Sequence, residues 1–183
     1  MKNVHEISNF LLPDELDTID LLTKDRELHK EDGVLGRILY TIPLPNEMKD
    51  AIQERVESLV GRKLDRIGEV FAEYSSKYGQ PNLPPHFDGD TNSLIVDYQY
   101  KGNTSWGLGV DTTVFEMEDN KAIIFNPNEY PHWRPHKTFE EGEVITMIFF
   151  RFPDWSGNTD YSHKRHSPSD EIFANIRKIR DSH

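Results

Sequence analysis

A chain of 183 residues is long enough to bury one sizeable core, and two independent domains would each be small. A formal net charge of −11, with 36% hydrophobic and 29% charged residues, fits a folded soluble protein and excludes a phosphate backbone as the favoured partner, so no nucleic acid is expected. The absence of cysteine excludes disulfides and thiolate ligands, so any metal must be held by His, Asp or Glu.

The first residues, "MKNVHEISNFLLPDELD", show no apolar run with a small-residue cleavage site, and no apolar stretch reaches membrane-spanning length. No membrane association is expected, and a cytoplasmic location is. "FLLPDELDTIDLLTK" predicts a short amphipathic helix, with Pro13 at its first position, acids in the first turn, and Leu16, Ile19 and Leu22 on one side. "GVLGRILYTIPL" reads as extended. "PNEMKDAIQERVESLV" predicts a second helix with Met48, Ile52, Val56, Leu59 and Val60 in one stripe and Gly61 as its stop.

From about Gly68 the texture changes to short runs rich in Val, Ile, Phe and Tyr: "EVFAEYSSKY", "NSLIVDYQY", "SWGLGVDTTVFEM", "KAIIFNP" and "EVITMIFFRF". Gly, Asn, Asp and Pro separate them, too closely for crossover helices, so a mainly antiparallel sandwich or barrel is expected. After "RFPDW" a polar loop leads to "SPSDEIFANIRKIRD", a third helix capped by Ser167 or Ser169, with Ile172, Phe173, Ile176 and Ile179 on one face. "HKRH" within that loop reads as solvated. The expected organisation is one domain, 1–183: a helical N-terminal part of about 1–67, a β core of about 68–152 and a C-terminal helix of about 168–181.

Three of the eight histidines fall at strand edges in the β region: His86 in "LPPHFDGD", then His132 and His136 in "NEYPHWRPH". Residues i and i+2 of an extended segment point to the same side, so His86 and Asp88 can grip one ion together. A histidine from across the barrel completes two imidazoles and one carboxylate, the facial set of non-haem Fe(II) oxygenases. His132 and His136, four apart with a proline between, both compete for that place. Pro84 and Pro85 hold the approach, and Gly89 with Asp90 form the turn beyond.

The ordered set Tyr78, Gly79, His86, Asp88, Phe125 and His132, in "YGQPNLPPHFDGDTNSLIVDYQY", "KAIIFNPNEYPHWRPH" and "GEVITMIFFRF", resembles the Fe(II)- and 2-oxoglutarate-dependent dioxygenases. The likeness is greatest to their prolyl-4-hydroxylase-like branch and spans roughly residues 10 to 152. It implies a double-stranded β-helix, or jelly roll, with His86, Asp88 and His132 as Fe(II) ligands. It also implies 2-oxoglutarate as co-substrate, O2 as oxidant, and hydroxylation of a small molecule, an amino acid or a peptidyl residue.

The branch also implies a basic residue near "GEVIT" for the distal carboxylate of 2-oxoglutarate, where this chain has Gly142, Glu143 and Val144. Three cations are expected as substitutes, in the order Arg151, Arg134 and Lys101, with Tyr98 and Tyr100 as added hydroxyl donors. Arg151 shares the parity of Ile145, Met147 and Phe149 on a regular strand. His136 and Trp133 are assigned to the substrate, Trp133 as a pocket wall, while Trp106 and Trp155 are expected to pack. The competing expectation is a cupin-like metal-binding jelly roll with non-oxygenase chemistry or ligand binding only, although cupins favour His-x-His over His-x-Asp.

Overall fold

The computed structural model describes residues 3–24, 30–32, 36–88, 92–153 and 170–183. The turn expected at Gly89 and Asp90, the caps Ser167 and Ser169, "HKRH" and Trp155 lie outside the described residues.

Each apolar run of the β region forms a strand. These are β4 (Gly68–Ser75), β5 (Asn92–Gly102), the hairpin β6 (Leu108–Val110) and β7 (Thr113–Phe115), β8 (Lys121–Phe125) and β10 (Val144–Pro153). A two-residue strand, β9 (His132–Trp133), lies in what reads from sequence as a loop. The N-terminal part is not purely helical. It adds β1 (His5–Ser8), β2 (Lys30–Asp32) and β3 (Arg37–Tyr40) around helices α1 (Pro13–Thr23) and α2 (Asn46–Val60). β3 lies in the segment that reads as extended, whereas β1 and β2 are short segments completed by edge pairing, β1 on β8 and β2 on β3.

All pairings are antiparallel. A seven-stranded sheet has the order β1-β8-β5-β10-β4-β3-β2, and a three-stranded sheet the order β7-β6-β9. The two sheets form a jelly-roll core.

Strand alternation splits the core into two clusters. On β10, Ile148, Phe150 and Phe152 face α1 and α2 and join Phe10, Ile19, Ile52 and Val56. Ile145, Met147 and Phe149 face the other way and join Trp106, Leu108, Phe125 and Phe139 between the sheets. Burying an aliphatic or aromatic side chain of this kind contributes about 1.5–3 kcal/mol each, so both faces of β10 hold it in place.

Polar contacts fix the helices on the outer face. Glu15 accepts from the Leu12 amide at 2.7 Å and from Arg55 of α2 at 2.9 and 3.1 Å, which joins the start of α1 to α2. At the end of α2, the Glu57 carboxylate accepts from Lys63, the Leu64 amide and Gln53. The Lys63 contact, then the Leu64 and Gln53 bonds, lower its pKa from 4.5 to about 2. A carboxylate with a depressed folded pKa stabilises fully above its unfolded value and loses that contribution as pH falls through the folded one. Glu57→Gln is therefore expected to unfold at lower urea than the parent at neutral pH. Its urea midpoint should also change less with acidification to about pH 3.

The last helix, α3 (Asp170–Ser182), ends the chain with Ile176 fully buried. Phe173 meets Phe87 edge-on with ring centroids 6.1 Å apart, and Arg180 donates to the Arg134 carbonyl at 3.0 Å and to Asn82 at 2.6 Å. The helix thus braces, from behind, the segment that carries His86 and Asp88.

Candidate metal centre and its cavity

His86 and His132 are partners in an antiparallel bridge that continues the small sheet. The His86 amide donates to the His132 carbonyl at 3.1 Å, and the His132 amide donates back at 2.9 Å. Directly opposed residues project to one face, and the two imidazoles lie 4.3 Å apart, centroid to centroid. Phe87 points the other way, onto α3, so Asp88 returns to the face of His86. The Asp88 amide donates to the Pro127 carbonyl at 3.2 Å, which fixes the backbone there.

The three side chains converge. Asp88 Oδ1 lies 3.4 Å from His132 Nε2 and 3.8 Å from His86 Nε2, and one ligand atom of each residue falls within 4.8 Å of the others. His86 Nδ1 lies 2.8 Å from the Pro84 carbonyl, which places the proton on Nδ1 and leaves the Nε2 lone pair toward Asp88. His132 Nδ1 stands at 3.5 Å from the Tyr130 carbonyl, and its Nε2 faces Asp88 Oδ1 at 3.4 Å. Two neutral imidazole nitrogens and one carboxylate oxygen fit a divalent first-row metal such as Fe(II).

Electrostatics favour the protonation states a metal requires. Burial, then the neighbouring His132, lowers the pKa of His86 and keeps it neutral. Burial opposes the charge on Asp88, but the hydrogen bond and charge of His132, with His86 and Arg151 nearby, outweigh it and hold the carboxyl below its usual range.

The cluster forms one wall of a cavity of about 240 Å³ between the sheets. Ile95, Leu108, Phe149 and Trp133 supply apolar walls. Trp133 is held by its indole N–H on the Asp111 carbonyl at 3.0 Å, and it lies against Gly109, where a Cβ would come within 2.1 Å of the ring. The close approach accounts for glycine at that position.

Arg151 and Arg134 also line the cavity, in different states. Arg151 follows Phe149 on the inner face of β10, as its parity predicts, and its buried Nε has no hydrogen-bond partner among the described residues. Arg134, only 3% exposed, is already engaged: it pairs with Asp97 at 2.7 Å and donates to the carbonyls of Trp106 and Gly107 at 3.3 and 3.2 Å. Burial pushes the Asp97 carboxyl up in pKa, against the pull of Arg134.

Four expected site residues lie elsewhere. Tyr98 has the parity of Val96, faces the helices and donates to Asn120 at 3.1 Å. Lys101 would share the inner face of Asp97 on a regular strand, but the register of β5 against β10 skips Tyr100, and this bulge breaks the alternation. Tyr100 and Lys101 both bond Asp20 of α1 instead. His136 is exposed, lies 3.2 Å from Asp181 of α3 and takes no part in the cluster, so the fold brings His132 and not His136 to His86 and Asp88.

Three of the cavity's polar residues are absent from the sequence-based expectation: Arg37, Tyr74 and Asp97. Asp97 carried a signal, since an acid amid "SLIVDYQY" must find a buried partner. Tyr74 carried a weaker one in its alternation with Ala72. Arg37 carried none, because β3 reaches the cavity through an edge pairing.

No family model and no curated protein matches the chain. Solved structures do. A viral collagen prolyl hydroxylase from Paramecium bursaria Chlorella virus-1, in complex with 2-oxoglutarate, aligns with a TM-score of 0.60 at 15% identity, over 83% of this chain and 96% of that one. A prolyl-4-hydroxylase from Pseudomonas putida aligns at 0.60 and 15%, over 82% and 92%. A prolyl hydroxylase from Trichoplax adhaerens, in complex with a hypoxia inducible factor peptide fragment, aligns at 0.56 and 13%, over 83% and 84%. The chain therefore has the jelly-roll fold of the prolyl-hydroxylase-type 2-oxoglutarate and Fe(II) oxygenases.

Proposed function

We propose that this protein is an Fe(II)- and 2-oxoglutarate-dependent oxygenase that hydroxylates a small molecule, an amino acid or a peptidyl residue. The observation that carries the reading is the convergence of His86, Asp88 and His132 on the wall of a cavity that also holds Arg151, whose buried Nε has no partner among the described residues. When bound, Fe(II) and 2-oxoglutarate would supply the oxidising chemistry that places one oxygen atom of O2 into a carbon–hydrogen bond, the co-substrate being oxidised with the other.

The chain's own residues do the rest. His86 would offer the Nε2 lone pair of a ring oriented through Nδ1, His132 would offer its Nε2 once the proton shared with Asp88 has left, and Asp88 would neutralise part of the metal's charge. Three protein ligands leave open positions for an organic ligand and dioxygen. Arg151 is the cation for a carboxylate of 2-oxoglutarate, because Arg134 is engaged by Asp97 and Lys101 is outside the cavity. Ile95, Leu108, Phe149 and Trp133 keep water from the reacting atoms and confine the substrate. The peptide complex of the Trichoplax neighbour supports keeping peptides among the substrates. The acidic chain disfavours nucleic acid. Among the described residues, no helix is long and apolar enough to cross a membrane.

Anaerobic addition of Fe(II) and 2-oxoglutarate is expected to produce a weak visible metal-to-ligand charge-transfer band. Arg151→Gln should keep the band but need at least about tenfold more 2-oxoglutarate to develop it, the loss of one charge-assisted pair. Metal binding without any effect of 2-oxoglutarate would overturn the oxygenase reading in favour of a cupin-like metal-binding jelly roll.

A further inference from the structure

One face of α3 is turned to the protein, and Phe173, Ile176 and Arg180 mark it at spacings of three and four. Phe173 and Ile176 suit such a stripe; a guanidinium at its third place does not. Arg180 is only 9% exposed, and burial pulls its pKa down. Its neighbour in sequence, Asp181, is turned to His136, and among the described residues no carboxylate pairs with Arg180. Its partners are neutral: Nε donates to the Arg134 carbonyl at 3.0 Å and Nη2 to Asn82 Oδ1 at 2.6 Å. A leucine or methionine would fill the place without burying a charge. What the guanidinium adds is therefore the join that it makes.

That join is between the two segments that carry the cluster. Asn82 lies four residues before His86, and Arg134 two after His132. Among the described residues three backbone bonds hold these segments side by side: the two between His86 and His132, and the Arg134 amide on the Leu83 carbonyl at 3.0 Å. Pro84 and Pro85, which stand between those rungs, have no N–H to add another. Arg180 closes the ladder from outside, at the end away from the histidines. At the other end Phe173 meets Phe87 with 81° between the ring planes, and the residues on either side of Phe87 are His86 and Asp88.

The helix thus touches the reverse side of the ligand segment at two points, about 10 Å apart along its axis. The two histidines can reach one ion only if their segments keep their register. A displacement of about 1 Å in such a site is costly, and the contacts that hold the register act on both imidazoles at once.

We propose that Arg180 is a positioning residue of the metal centre, through which the docking of α3 sets the spacing of His86 and His132, so that helix docking and metal binding strengthen each other. The proposal rests on the reading of His86, Asp88 and His132 as a metal site. The coupling is reciprocal: whatever factor docking adds to metal affinity, bound metal adds to docking. A residue that only stabilises the fold has neither effect on protein that is already folded.

Calorimetric titration with Co(II), on variants that urea denaturation shows to be folded, reads the first effect without turnover. Arg180→Gln is expected to weaken Co(II) binding by about tenfold, the low end of what supporting contacts to a ligand contribute. Arg180→Lys keeps the charge and can hold one of the two acceptors, so it should fall between that variant and the parent. Hydrogen exchange reads the second effect on the parent itself. Saturating Co(II) should slow the α3 amides by a comparable factor beyond any slowing in α1, which packs on the outer face of β10. In Arg180→Gln that excess should shrink. Folded variants that bind Co(II) as the parent does, or α3 amides that slow no more than those of α1, overturn the proposal and leave the metal site standing. Where Arg180→Gln does not fold, Arg180→Lys and the exchange of the parent decide. A parent that binds no Co(II) overturns the metal-site reading and the proposal together.

Discussion

Asp88→Ala is expected to lower affinity for Fe(II) or Co(II) by at least about 100-fold, since removing even a supporting contact to a ligand commonly costs about 10- to 100-fold. Asp88 is the only carboxylate of the cluster, within 3.8 Å of both histidine Nε2 atoms. Without it, two neutral imidazoles 4.3 Å apart remain, and two nitrogen ligands alone hold a hard divalent ion weakly. The metal-free protein should tolerate the change. The backbone bond from the Asp88 amide to Pro127 survives, and the lost hydrogen bond from His132 is offset by no longer burying a carboxylate. A metal titration beside a urea denaturation of the metal-free protein separates these effects. Unchanged metal affinity in a folded variant would remove the cluster as a metal site.

Arg134→Gln is expected to destabilise the protein by about 3–5 kcal/mol, because it leaves Asp97 buried and uncompensated. The guanidinium is also a junction. It bonds Asp97 of β5 and two carbonyls before β6, while the Arg134 amide donates to the Leu83 carbonyl at 3.0 Å and its own carbonyl accepts from Arg180 of α3. Those contacts join the strand bearing His132 to the segment bearing His86. The double variant Arg134→Gln with Asp97→Asn should recover much of the loss, since a neutral pair carries a far smaller desolvation cost. Urea midpoints of the single and double variants give the coupling. If the two losses simply add, the pair is not the source of the destabilisation.

His86 and Asp88 were legible as a pair because alternation in an extended segment is local, and the structure places both on one face. His132 was legible through its place after "KAIIFNP", although the two-residue strand that holds it exists only because His86 stands opposite to complete its hydrogen bonds. Arg151 followed from parity, which held along the inner face of β10. The helices were legible from apolar spacing and from Pro13 and Gly61, signals contained within a few residues.

The errors arose where a long-range partner overrides local pattern. Lys101 was diverted by a bulge in the β5–β10 register, while Tyr100 faces the helices with Val96 and Tyr98, and the polar ends of both met Asp20 of α1, 81 and 80 residues away in sequence. Arg134 sat at the expected place but was claimed by Asp97, an acid whose burial depends on how the two sheets face each other. Arg37 and Tyr74 meet only because β3 adds to the edge of β4 and Gly36 lets it close against Gln80 and Pro81. The long strands of the β region, helix position and the His-x-Asp pair are thus properties of local sequence, set by side-chain period and backbone preference. Which cations reach the cavity, and which of them are already neutralised, is decided by register and sheet packing, because charges separated by dozens of residues become neighbours only in the closed fold.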